Sequence, residues 1–268
     1  MMDLGKKNLL GVRINAIDYE SAVMRVITSA QQGRRCTVGA LAVHGVMMGA
    51  TDFVHRYRLN HFDLSVPDGQ PVRWALNALH GTKLRDRVYG PKLTLLVCHE
   101  AARNRIPVFF YGSRDDVVQK LAAKMIEKCP GLQAAGYQAS KFKRLTPAEV
   151  ESLVKRIRQS GAKILFVGLG CPRQEVFAYE IGERLSMPIL AVGAAFDYHS
   201  GFLSEPPEFM QRAGLQWLYR LAQDPRRLWR RYLVLNIQFI MGFMLQFLRV
   251  RIADPSNATR PSTEMFYG

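Results

Sequence analysis

Six short runs of β-branched and apolar residues, each followed by a longer stretch of helical periodicity, organise most of this chain. The runs lie at residues 37–43 (TVGALAV), 61–69 (HFDLSVPDG), 106–113 (IPVFFYGS), 132–140 (LQAAGYQAS), 162–170 (AKILFVGLG) and 187–197 (MPILAVGAAFD). Between them, stretches such as Asp115–Lys128 and residues 147–160 carry apolar residues at helical spacing. Strands joined by long crossovers pair in parallel, and a parallel sheet buries both faces under helices. The alternation therefore predicts an α/β fold, a Rossmann-like and mostly parallel sheet flanked by helices. One helix start is explicit: Thr146-Pro147-Ala148-Glu149 supplies a cap, a proline at the first helical position and an acid in the first turn. With 268 residues, 48% of them hydrophobic, the chain can bury such a core.

Ligands of open parallel sheets bind beyond the carboxyl ends of the strands. Four of those ends carry small residues here. Val66-Pro67-Asp68-Gly69 sets an acid directly after a strand, where it can act as a general base toward a sugar hydroxyl. An isolated Asp-Gly pair more often caps the following helix, here residues 70–79. Residues 166–175 (FVGLGCPRQE) run from a strand through a glycine-rich turn into a helix. The amides of Gly168 and Gly170 and the helix start at Pro172 suit a diphosphate, with Arg173 and Gln174 as side-chain donors and Glu175 in the same turn. Tyr111-Gly112-Ser113 and Val192-Gly193-Ala194-Ala195-Phe196-Asp197 repeat the pattern of apolar strand then small residues. His44, just past the first run, is a candidate substrate contact, although a lone histidine is more often structural. As a set, the strand ends outline one crevice able to take a nucleotide.

Charge is distributed unevenly. Lys and Arg number 37 against 22 Asp and Glu, a formal net charge of +15, which points to phosphate-bearing partners. Between residues 212 and 251 there are eight arginines and a single acid, Asp224. The α/β pattern breaks near residue 204, at SEPPEF, so three parts are expected: a core at 1–203, a basic and apolar helical appendage at 204–253, and a polar tail at 254–268. Within the appendage, residues 232–248 are strongly apolar yet carry Asn236, Gln238 and Gln246. A spanning helix needs about 20 mostly apolar residues, so monotopic insertion or docking on the core fits better than spanning.

Other signals limit the chemistry. Cys36, Cys98, Cys129 and Cys171 form no CxxC pair and read as reduced thiols of a cytoplasmic protein. The N-terminus reaches charged residues too early for a signal peptide. No DxD triplet is present to hold a divalent ion against a sugar diphosphate, so no metal or other cofactor is expected and arginines must meet the phosphate charge. Candidates are Arg87, in Arg87-Val88-Tyr89-Gly90, and Arg220, Arg226, Arg227, Arg230 and Arg231 on the phosphate or membrane side. Two rival classes remain at this point. A nucleotide-dependent oxidoreductase would share the glycine-rich strand ends, but GLGCPR lacks the third glycine of the dinucleotide fingerprint. A non-catalytic basic protein that binds membranes or nucleic acid would share the charge, but no nucleic-acid module is visible.

Taken in order, the segments around Pro67-Asp68-Gly69, Arg87-Val88-Tyr89-Gly90, Val167-Gly168-Leu169-Gly170 with Pro172-Arg173-Gln174-Glu175, and Gly193-Ala194-Ala195-Phe196-Asp197 resemble the WecG/TagA/CpsF family of bacterial glycosyltransferases. The resemblance continues through Gly214-Leu215-Gln216-Trp217-Leu218-Tyr219-Arg220-Leu221 into Asp224-Pro225-Arg226-Arg227 and Arg231-Tyr232-Leu233. It implies a GT-E type Rossmann-like domain with an Arg-rich, membrane-associating C-terminal appendage. The implied activity is inverting and metal-independent. A sugar moves from a UDP-sugar to a polyprenyl-diphosphate-linked acceptor during surface polysaccharide synthesis. The donor would be of N-acetylmannosamine type, its uronic acid or glucose. Asp68 then matches the catalytic base, Arg87 an arginine near the sugar diphosphate, residues 168–175 the nucleotide site, and the C-terminal arginines the part that closes the site at an anionic membrane. The implied location is peripheral or monotopic at the inner face of the cytoplasmic membrane, with self-association left open and no nucleic-acid partner. Three departures bear on sugar choice: Leu41 and Val43 stand where many members carry a Thr-x-Asn pair, Ser204-Glu205-Pro206 replaces Arg-Ala-Pro, and Gln216 replaces a glutamate.

Overall fold

The computed structural model describes the backbone of residues 1–268 and all side chains except those of Arg227, Arg230 and Arg231. The chain opens with a hairpin, β1 (Asp3–Leu9) and β2 (Val12–Ile17), then α1 (Tyr19–Gln31) and β3 (Cys36–Leu41). Next come α2 (Val43–Thr51), α3 (Phe53–Asn60), β4 (Leu64–Pro67), α4 (Gln70–His80) and α5 (Gly90–Arg103). The second half of the sheet is built from β5 (Val108–Gly112), α6 (Asp115–Lys128), β6 (Ala134–Gln138), α7 (Pro147–Gln159), β7 (Ile164–Gly168), α8 (Arg173–Gly182) and β8 (Pro188–Ala191). The chain continues through α9 (Ala195–Ser200), α10 (Glu208–Arg212), α11 (Gln216–Gln223) and the long α12 (Pro225–Phe247).

The six expected strands form one parallel sheet in the order β4-β3-β8-β7-β5-β6. Side chains of a strand alternate between faces, and the core follows that period. Val108 and Phe110 of β5, with Ile164 and Phe166 of β7, pack under α1, α5 and α6. Phe109 and Tyr111, with Leu165 and Val167, pack under α7 and α8. The start of α7 is a capping box, in which Thr146 and Glu149 exchange side-chain and backbone bonds.

The hairpin was not expected from sequence. Leu10 and Gly11 both take positive φ, 56° and 87°, the geometry of a two-residue turn whose twist matches its strands. The hairpin lies beside β4, where Asn15 accepts from the Ser65 amide at 2.9 Å and occupies the exposed sheet edge. A third core forms where Leu9, Val12 and Ile14 meet Val46 and Met47 of α2, Val72 and Leu76 of α4, and Phe239 of α12.

Helix α12 docks through a narrow seam. Leu228, Phe239 and Gln246 are buried, and Leu235 and Phe243 pack on the third core. Gln246 accepts from the Leu10 amide at 2.8 Å and donates to the Asn8 carbonyl at 3.0 Å, so one of the three amides of this apolar segment serves the hairpin turn. The opposite side is open: Ile237, Ile240, Met241 and Leu248 are each more than half exposed. Among the described residues, no helix is long and apolar enough to cross a membrane.

Residues 254–268, read above as a polar tail, return across the core. Arg56 donates to the Asn257 carbonyl, Phe266 is buried against Phe177, and the backbones of Lys143 and Gly268 exchange bonds.

Candidate functional site

Parallel strands deliver all their carboxyl ends to one edge, and a cleft of about 640 Å³ opens there. Its floor comes from the turns after β3, β4, β7 and β8, and one wall from α11 and α12.

Asp68 lies half-buried in that floor. The turn is fixed on both sides: the Asp68 amide donates to the Leu41 carbonyl at 3.1 Å, and the Val88 amide to the Pro67 carbonyl at 2.8 Å. The alternative role as a helix cap does not occur, since Gly69 is the N-cap of α4 and no side chain caps it. Instead, Asp68 Oδ1 accepts from the Gly90 amide at 2.7 Å, at the start of the 14-residue α5. A helix N-terminus favours negative charge and orients the carboxylate. Burial nevertheless pushes the Asp68 carboxyl above the ordinary aspartate value, against the lowering pull of Arg87, the Gly90 amide and Arg220. A raised carboxylate with a free face toward a cleft has the profile of a proton acceptor.

The two arginines belong to different parts of the chain. Arg87 is buried; its guanidinium stacks 4.3 Å from the Tyr89 ring centroid and donates to Gln216 and, at 3.3 Å, to Gln211. Amides hold it there in place without neutralising it. Arg220 reaches the same cleft from α11, 6.0 Å over the Tyr198 ring. Burial disfavours its charge, but Tyr232, Tyr198, Tyr89 and Asp197 outweigh that effect and raise its pKa. Desolvation, first, raises the Tyr89 and Tyr198 phenols above the ordinary tyrosine value.

On the other side of the floor, the turn after β7 is braced from within. Gln174 accepts from the Gly170 amide at 3.1 Å and donates to Glu175 at 2.9 Å, with both side chains buried. The Gly170 amide, expected to receive a diphosphate, is therefore engaged by Gln174. Gly193 has φ +48°, and a Cβ there would lie 2.7 Å from Gln174 Oε1, so the glycine lets the β8 turn close onto this brace.

Of the residues singled out in the sequence, His44, Asp68, Arg87, Gly168, Gly170, Gln174, Glu175, Gly193, Asp197 and Arg220 line the cleft together. Four others do not line it. Gly112, with φ +119°, packs onto Gly168, where a Cβ would lie 2.6 Å from the carbonyl oxygen, so its smallness serves strand packing. Pro172 is the N-cap of α8, and the exposed Arg173 lies 5.9 Å over the Tyr267 ring of the tail. Arg226 is exposed on α12. The side chains of Arg227, Arg230 and Arg231 lie outside the described residues. Sequence reasoning missed Gln70, Tyr198, Trp217 and Asn236, which also line the cleft. Tyr198 had a usable signal, as the residue after the small-residue turn and Asp197. Gln70 follows the Pro67-Asp68-Gly69 motif directly but reads as an ordinary first-turn residue of α4, and Asn236 had no signal, because only the packing of the appendage brings it to the site.

Fold and site together define a parallel α/β protein with one crevice at its strand ends, carrying a poised carboxylate and two phosphate-competent arginines. The chain belongs to the glycosyl transferase WecG/TagA/CpsF family, whose model matches residues 7–253. It is also similar to an N-acetylglucosaminyldiphosphoundecaprenol N-acetyl-beta-D-mannosaminyltransferase of Bacillus spizizenii, with 31% identity over 176 residues. That alignment covers 65% of this chain and 66% of the relative, so the chain matches just under two thirds of the relative's length. Family membership separates the chain from the oxidoreductase and nucleic-acid alternatives.

Proposed function

We propose that this chain transfers a sugar from a UDP-sugar to a polyprenyl-diphosphate-linked acceptor, by a single displacement with inversion and without a metal. The observation that carries this reading is Asp68, a half-buried carboxylate set by the Gly90 amide in the same cleft as Arg87 and Arg220. The acceptor hydroxyl gives its proton to Asp68 as its oxygen attacks the anomeric carbon. The bond from that carbon to the diphosphate oxygen breaks, and UDP leaves with the electron pair. One base and one displacement invert the configuration. Arg87 and Arg220 meet the charge that develops on the leaving diphosphate.

The Bacillus spizizenii relative is named for moving N-acetylmannosamine onto a diphosphoundecaprenol-linked N-acetylglucosamine. By analogy the donor here is of N-acetylmannosamine type, its uronic acid or glucose. The open apolar side of α12, beside an arginine-rich first turn, supports binding at the surface of an anionic membrane on its cytoplasmic side. The reading is tested by offering a panel of UDP-sugars with a short-chain polyprenyl-diphosphate sugar, in the presence of EDTA, and weighing the product. One donor is expected to add one sugar to the acceptor. No transfer from any UDP-sugar, or transfer that EDTA abolishes, contradicts it.

A further inference from the structure

Gln70 is the first residue of α4, two positions beyond Asp68, and is only 7% exposed. It lines the cleft, and its Oε1 has no hydrogen-bond partner among the described residues. A sealed carbonyl oxygen without a partner is unfavourable in a folded protein and calls for an explanation.

The surroundings explain how the oxygen is sealed. Gly214, with φ +74°, brings the turn between α10 and α11 directly onto α4: a Cβ there would lie 2.8 Å from the Trp74 ring and 3.3 Å from Gln70 Cβ. Two residues later, Gln216 Oε1 accepts from Arg87, while its Nε2 is also buried without a partner among the described residues. Both residues line the same cleft, on the side where the appendage meets α4, and each keeps a buried amide atom unused, one an acceptor and one a donor.

We infer that Gln70, together with Gln216, determines specificity for a sugar by pairing with its hydroxyl or acetamido groups. This rests on the glycosyl-transfer reading above. The unused acceptor oxygen of Gln70 is the wrong chemistry for an ionised diphosphate, which offers it no proton and which Arg87 and Arg220 meet by charge. Neutral amides are the right chemistry for a hexose, whose hydroxyl and acetamido groups both donate and accept. A site built to pair a substrate O–H or N–H rejects analogues that lack it, because its own polar groups are then left buried and unpaired.

The test is Gln70→Leu, which removes the amide and keeps most of the volume. Initial rates are measured with the donor varied at saturating acceptor, then with the acceptor varied at saturating donor. The melting temperature and the affinity for UDP are measured alongside. The expected result is a fall in kcat/KM of about tenfold or more on one of the two arms, with UDP affinity within about twofold of the parent. The affected arm identifies the sugar. Deoxy or de-N-acetylated analogues of that sugar should react equally well with parent and variant. The melting temperature should hold or rise, because a buried unpaired oxygen has been removed. A lower melting temperature, a parallel loss of UDP affinity, or unchanged kinetics on both arms overturns the inference. A parent enzyme that transfers no sugar overturns the functional reading instead, and this inference with it.

Discussion

The fold disfavours the ionised form of Asp68. Its carboxyl keeps its proton to a higher pH than in the unfolded chain, since burial raises its pKa. Through the window between the ordinary aspartate value and the raised one, the native state binds more protons, so stability falls as pH rises. Above that window the loss is complete. Asp68→Asn removes the charge and should melt at a higher temperature than the parent at pH 7, with the difference vanishing below the ordinary aspartate range. Thermal melts across pH check this. The same shift predicts that the acid limb of kcat/KM lies above the ordinary aspartate value, because the base must be ionised to accept a proton. Little of this was legible in sequence. The Pro67-Asp68-Gly69 motif marked the residue, but a helix cap was the commoner reading, and only the Gly90 amide 22 positions away decides between them.

Helix α12 shows why an apolar segment can defeat pattern reading. Over residues 232–248 apolar residues lie on every side of the helix, so periodicity alone does not say which side packs. The partners decide: Gly242 lies against Leu10, where a Cβ would approach to 3.0 Å, and Gln246 bonds the hairpin turn. The seam they define leaves Ile237, Ile240 and Met241 facing out. Replacing these three by serine removes apolar surface from any membrane contact, about 1.5–3 kcal/mol per fully buried side chain. Co-sedimentation with anionic vesicles should fall strongly, while turnover of a short-chain, detergent-free acceptor stays near that of the parent. Unchanged vesicle binding would move the contact elsewhere on the surface. The capping box at Thr146, by contrast, was readable from four residues, because every group it needs is local.

Across the whole molecule, the sheet was predictable and its wrapping was not. All six parallel strands announced themselves as apolar runs, and a parallel sheet fixes where a site must lie once the strands are known. The appendage and the tail depend on contacts more than 100 residues apart, such as Gln246 with Leu10 and Arg56 with Asn257. The same dependence applies to the cleft wall: Arg220, Gln216 and Tyr232 come to Asp68 only because α11 and α12 fold back over the strand ends. The site is therefore a joint product of a legible core and a cover that sequence alone left unplaced. Catalysis is attributed to one group in it, and a single pair of measurements on Asp68→Asn examines that attribution. Transfer from the UDP-sugar to the polyprenyl-diphosphate acceptor should fall by about a thousandfold, while the affinity for UDP stays within about twofold of the parent. Near-parental transfer would remove Asp68 from the chemistry, and a matching loss of UDP affinity would reassign it to donor binding.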